Sequence, residues 1–170
     1  EFTDFINDML DYGLVQYSAR YKDEDVFLLY QDYRQDQALM KILENPKHNQ
    51  LGTYYKDGNM YIFAGLKKDA NVNEHLNYKD KFLSNDVFQW ESVANIDAKE
   101  EAKQASSKQA FIFVRKVKEE NGITLPYTFV GVGHLDNPRK NESSNGSILY
   151  DIHLDKPLPN DLYQDFMWIA

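Results

Sequence analysis

Between residues 78 and 92 the sequence runs Tyr78-Lys79-Asp80-Lys81-Phe82-Leu83-Ser84-Asn85-Asp86-Val87-Phe88-Gln89-Trp90-Glu91-Ser92, interleaving aromatics, bases, carboxylates and small hydroxyls. These are the parts of a pocket for an unstacked nucleobase. Such a pocket needs ring faces to stack on, a carboxylate or amide for the Watson–Crick edge, and cations for the flanking phosphates. Aromatic stacking contributes roughly 1–3 kcal/mol per base, so two rings offset an unstacking cost of a few kcal/mol. Tyr78 and Trp90, each an apolar body with a polar handle, suit such a pocket and a protein core equally well. Phe82 and Phe88, at even spacing from Trp90, suit the core.

Other chemistries find little support. His48, His75, His134 and His153 lie in separate segments without His-x-His or His-x-x-x-His spacing, so no metal ligand is expected. No phosphate-binding glycine loop, nucleophile elbow or triad is present, and no catalytic residue is expected. Gly131 and Gly133, in the run Phe-Val-Gly-Val-Gly-His, are followed by neither Gly-Lys-Ser/Thr nor a helix start, and mark a crowded strand. The neighbouring carboxylates Glu100 and Glu101 suit a solvated surface better than acid–base work.

The 170 residues carry 19 Lys+Arg against 27 Asp+Glu, a formal charge of −8, and no Cys. The absence of Cys excludes disulfide scaffolds, thiolate zinc sites and Cys nucleophiles. A chain of this length buries about 70% of its extended surface as one domain. No apolar run approaches the roughly 20 residues of a membrane span, and the expectation is a soluble cytoplasmic domain. The charge is uneven. Residues 1–50 carry ten acids and five bases, residues 51–118 nine acids and eleven bases, and residues 119–170 eight acids and three bases. An anion is therefore met by the middle third, which also holds the aromatic string, although the acidic total argues against indiscriminate coating of nucleic acid.

The elements that must position these residues follow from periodicity. Phe2, Phe5, Ile6, Met9 and Leu10 at helical spacing predict a short amphipathic helix, its stripe expected in the core. Glu1 in place of Met gives the expectation of a piece cut from something longer. A second helix is predicted from about Tyr33 to Glu44, stopped by Asn45 and Pro46. Tyr54-Tyr55, the turn Lys56-Asp57-Gly58-Asn59 and Met60–Leu66 predict a hairpin. Further strands are expected at 111–115, at 127–133 after the Asn121-Gly122 turn, and at 148–154 beyond a polar 137–146 loop. The 97–108 stretch fits a helix or a loop. The prediction is an α+β domain with a curved or barrel-like, mainly antiparallel sheet and flanking helices: a helical lead-in over 1–50, a β-rich recognition domain over 51–160 and a tail over 161–170.

The order Tyr78, Phe88-Gln89-Trp90-Glu91-Ser92, Phe111-Ile112-Phe113-Val114-Arg115, Tyr127-Thr128-Phe129-Val130-Gly131, then Leu154 and Pro157-Leu158-Pro159 resembles a known domain. It is the C-terminal domain of bacterial superfamily 2 helicases that often begin with a phospholipase-D-type nuclease, among them staphylococcal ATP-dependent type IV restriction endonucleases. The resemblance covers roughly residues 50–160, with Phe27–Tyr30 and the Arg34–Leu43 helix as lead-in. It implies an SRA/PUA-like target-recognition module that flips a modified cytosine into an aromatic pocket. Trp90 and Ser92 fall on the family's Trp-x-Ser string and Tyr78 on the Tyr before it. Glu91 and Val93 stand where relatives carry Gln, which removes two amides and adds a negative charge.

On this reading Trp90 and Tyr78 hold the base, with Tyr55 and Phe63 in reserve, and Asp80 accepts from the cytosine amino group. A niche for a 5-methyl group adds about 0.8 kcal/mol. Lys79, Lys81, Ser92, Asn95, Ser106, Ser107, Lys108 and Arg115 are the candidates for phosphate contact. The expected partner is double-stranded DNA carrying 5-methyl- or 5-hydroxymethylcytosine, with no membrane involved. The fragment is expected to be monomeric within a parent able to self-associate. No cofactor is expected in these residues, ATP and Mg belonging to the parent. The alternative is a non-catalytic protein-interaction or structural domain of a helicase.

Overall fold

The computed structural model describes residues 1–20, 26–49, 51–67, 80–142 and 146–168. Among these residues four helices and ten strands follow in the order α1 (Phe2–Arg20), β1 (Asp32–Tyr33), α2 (Gln35–Ile42), β2 (Thr53–Lys56), β3 (Asn59–Gly65), β4 (Lys81–Phe82), β5 (Val87–Glu91), α3 (Ala98–Ser106), β6 (Gln109–Arg115), β7 (Glu119–Glu120), β8 (Ile123–Thr124), β9 (Tyr127–Asn141), β10 (Ser147–Leu154) and α4 (Asn160–Met167). An eight-stranded sheet runs β2-β3-β6-β9-β10-β5-β4, with β1 paired to β9, and β7 and β8 form a separate ribbon. All pairs are antiparallel except β3 with β6. Among the described residues the path ends at β2 and β4 without closing. The mixed, mostly antiparallel architecture with flanking helices matches expectation, and among the described residues the sheet does not close into a barrel. Nor is the 137–146 stretch all loop, since β9 continues to Asn141.

The predicted hairpin forms because Asp57 and Gly58 take φ of 53° and 78°, the left-handed pair that a tight two-residue turn requires. The central strands are then buried on both faces. Met60, Ile62 and Ala64 of β3 and Ala110, Ile112 and Val114 of β6 join Phe82, Phe88, Trp90, Ile152 and Phe166 in one core. Tyr61, Phe63 and Phe113 join Phe27, Tyr33, Leu39 and Phe129 in a second. Adjacent residues thus serve opposite cores, which is why these strands read as unbroken apolar runs. In the second core Phe27, only 2% exposed, packs its ring within 4.9 to 6.5 Å of those of Tyr33, Tyr61, Phe111, Phe113 and Phe129.

The 1–50 lead-in divides. Ala38 and Leu39 of α2 enter the second core, whereas the α1 stripe expected in the core is exposed, Phe2 by 77% and Met9 by 57%. At the other end Phe166 of α4 packs into the first core, stacked on Phe82 at 5.4 Å.

The Gly-Val-Gly run is the crowded strand its spacing suggested. A Cβ on Gly133 would lie 2.6 Å from the His153 carbonyl oxygen and 2.8 Å from Ile152 Cγ2. Gly131 takes φ of 126° beside a register shift between β6 and β9. Gly133→Ala is expected to lower unfolding stability by about 1–3 kcal/mol through overpacking against backbone, and Phe27→Ala by about 3–5 kcal/mol through lost aromatic burial. Urea denaturation of both variants measures these losses, and wild-type stability in either would contradict the packing described.

Candidate functional site

A cleft of about 360 Å³ opens between the segment after β5 and the first turns of α3, lined by Leu51, Val93 to Asp97, Lys99, Glu100 and Lys103. The local sequence builds it. Asp97 caps α3, its Oδ1 accepting the Glu100 N–H at 2.7 Å, so the 97–108 stretch resolves as a helix. Asn95 turns the chain at φ of 57°, a conformation that Asn adopts more readily than most residues. Tyr55 of β2 anchors the helix: its hydroxyl donates to Glu100 Oε1 at 2.7 Å, and Lys103 Nζ lies 5.3 Å from its ring centroid. Burial, reinforced by the hydrogen bond and charge of Glu100, pushes the Tyr55 phenol well above its ordinary range. The hydroxyl therefore remains a donor at neutral pH. Cations, an amide and carboxylates meet here beside a half-buried aromatic ring.

On the face of β5 turned away from the first core lies a polar network. Period-two alternation sends Phe88 and Trp90 of β5 into the first core and Gln89 and Glu91 to the other side. Glu91, 3% exposed, accepts from Asn141 Nδ2 at 2.8 Å and Ser147 Oγ at 2.5 Å. Arg139 donates to Gln89 Oε1 at 3.1 Å and to Asp151 Oδ1 at 2.9 Å, while Asn137 Nδ2 reaches Asp151 Oδ2 at 2.9 Å. Asn137, at φ of 50°, lies where the β9–β10 register shifts, and the strand accommodates Pro138 beside it. The network fastens three strands together by charge-assisted bonds.

Of the residues expected to hold a base, Tyr78 lies outside the described residues, as does Lys79. Trp90 is not in a pocket: it is 4% exposed and stacked at 5.9 Å on Tyr150, its cross-strand partner. Phe63 belongs to the second core, stacked at 4.6 Å on Phe113, on the face opposite Trp90. Both rings are taken by core packing. Asp80 is buried, and its Oδ1 accepts the Glu91 N–H at 2.8 Å. Tyr55 does not line the cleft itself but contacts two residues that do, Glu100 and Lys103.

The phosphate candidates scatter. Asn95 lines the cleft, and Lys81 is exposed on the edge strand β4. Ser92 is fully buried, its Oγ accepting the Ile148 N–H at 2.9 Å. Ser106 and Ser107 turn their hydroxyls back to the Lys103 carbonyl at 3.3 and 2.7 Å. Lys108 is exposed and lies against the turn at Gly58. Arg115 lies 4.2 Å from the Tyr127 ring centroid and donates to the Leu125 carbonyl at 3.1 Å. Lys99 and Lys103 were counted only among the bases of the middle third, and Glu100 was assigned to a solvated surface, although Asp97-x-x-Glu100 is a capping pattern and Lys99 and Lys103 stand four apart on one helix face. Among the described residues no group of three or more His, Asp or Glu could hold a metal ion, and no helix is long and apolar enough to cross a membrane.

Residues 27–166 match the model of a domain of unknown function, DUF3427. The chain belongs to this family. No curated protein matches it. The DUF3427 span takes in the cleft, the polar network and both cores, and leaves α1 outside it.

Burial raises the Asp151 carboxyl, but the hydrogen bonds from Asn137 and Arg139, with the guanidinium charge and that of His153, outweigh it and hold the group below the usual carboxylate range. A carboxyl depressed in the folded state stabilises the fold above its unfolded value, about 4, and that contribution is lost as pH falls through the folded value. Asp151→Asn is expected to cost about 1 kcal/mol at neutral pH, after discounting for the partly exposed Arg139. The difference from wild type should narrow below about pH 4. Urea titrations at a series of pH values test this, and a pH-independent difference would count against it.

Proposed function

We propose that this DUF3427 domain is the DNA-recognition module of an ATP-dependent type IV restriction endonuclease and binds DNA carrying 5-methyl- or 5-hydroxymethylcytosine in an SRA-like manner. Bond breaking, ATP and Mg belong to other parts of the parent enzyme. The supporting observation is the cleft at α3, large enough for one nucleobase, where Lys99, Lys103 and Asn95 line the same opening as Asp97 and Glu100. A carboxylate accepts several hydrogen bonds, so Glu100 retains acceptor capacity for a cytosine amino group beyond the Tyr55 hydroxyl it already takes. The lysines neutralise adjacent phosphates, and the acidic remainder of the chain discourages indiscriminate binding to DNA, leaving selectivity to the base contact. The amino-group contact first assigned to Asp80 passes to Glu100, which Tyr55 holds in place.

A second reading, a protein-interaction domain, draws on a different observation: the exposed apolar side chains of α1.

Fluorescence anisotropy with methylated and unmethylated duplexes of identical sequence separates the two. Preferential binding to the methylated duplex is expected, with a shallow salt dependence. Lys99→Ala with Lys103→Ala should weaken it and reduce the salt slope by about two, while circular dichroism remains native. Equal, negligible binding to both duplexes would remove the DNA reading. Trp90→Ala is unsuitable as a probe because it opens the core.

A further inference from the structure

We propose that α1 is a self-association helix, and that its apolar face is covered by α1 of a second copy of this chain. Phe2, Phe5, Ile6, Met9 and Leu10 are 77, 58, 38, 57 and 61% exposed. At 3.6 residues per turn they occupy one arc of about 140°, and Asp4, Asp8 and Asp11 occupy an arc of about 60° on the other side. Tyr12 and Leu14, exposed by 69 and 63%, flank the apolar arc. Phe2, Phe5, Met9 and Tyr12 follow the three-four spacing of a seam between paired helices.

Two observations select a second copy as the occupant. The first is area. The five central side chains expose on the order of 500 Å², so two copies meeting face to face bury at most about 1,000 Å² from these residues, and Tyr12 and Leu14 extend the contact toward the range of stable interfaces. The second is charge. A groove rimmed with Lys and Arg would call for acids along the border of the apolar arc, but Asp4, Asp8 and Asp11 lie behind it. When two such helices pair through their apolar faces, the acidic stripes point outward to solvent and no like charges meet in the seam. A membrane surface is a poor occupant for the same reason: the polar face is acidic, where anionic lipid favours bases. This association is independent of DNA binding and adds an interface outside the DUF3427 match, which begins at Phe27.

Sedimentation equilibrium of the whole chain over a wide concentration range is the test. A reversible monomer–dimer equilibrium is expected. Phe5→Asp with Met9→Asp should weaken it by roughly tenfold or more, with circular dichroism and urea stability of the sheet domain unchanged. The opposite-face variant Asp4→Asn, Asp8→Asn, Asp11→Asn should leave the dimer intact. A monomer at every concentration would overturn the proposal and assign the face to another protein or segment. A dimer that survives the Phe5/Met9 substitutions, or is lost with the Asp substitutions, would overturn it equally.

Discussion

Phe27 is the point on which the second core converges. Its ring meets aromatic side chains from β1, β3, β6 and β9, and so ties the chain before the first strand to the middle of the sheet. The same middle strands carry apolar side chains on their other side, with Ile112 and Phe113 both fully buried and facing opposite cores. A sheet apolar on both faces must be covered twice. The lead-in and α2 cover one side, and α4 contributes to the other. With Tyr55 packed at the margin of that first core and holding Glu100, the place of α3, and with it the cleft, follows from how the cores are filled.

β5 divides two chemistries. Every second residue faces the first core, so Phe88 and Trp90 pack there, while Gln89 and Glu91 join the polar network shared with β9 and β10. A string that looks like one pocket when written in a line is therefore split between two faces. Asp80, at the edge of the sheet, is occupied with the backbone of Glu91. Asn95 in the turn before α3 and Lys99 and Lys103 on the helix line the cleft, while Ile96 of the same turn packs against the first core.

The network also shows how strands of uneven length are reconciled. β9 carries extra residues against both neighbours, at Val130 beside β6 and around Asn137 and Pro138 beside β10. Gly131 relieves the first irregularity by adopting a left-handed φ, and Asn137 the second while donating to Asp151. These irregularities let one long strand serve the second core at its start and the polar network at its end.

Period and turn chemistry, which act over a few residues, made the start of the helix at 2–20, though not its length, the helix expected at about 33–44, the hairpin through Asp57-Gly58, the strands expected at 111–115 and 148–154 and the crowding at Gly133 legible in the sequence. So was the burial of Phe82 and Phe88. Strand order, the parallel β3–β6 pair and the open edges were not, because pairing between distant segments leaves no local signature. The same limit governed the site. An aromatic beside bases reads alike whether its ring is stacked on a neighbouring strand, as Trp90 is on Tyr150, or braces a helix through its hydroxyl, as Tyr55 does. An amphipathic stripe reads alike whether a core covers it or not, and α1 is left uncovered. The sequence by itself determined which residues could be buried or could bind, through their chemistry and spacing. Only the tertiary structure decided which of them had a face left to offer, because that depends on what the rest of the chain has already packed against it.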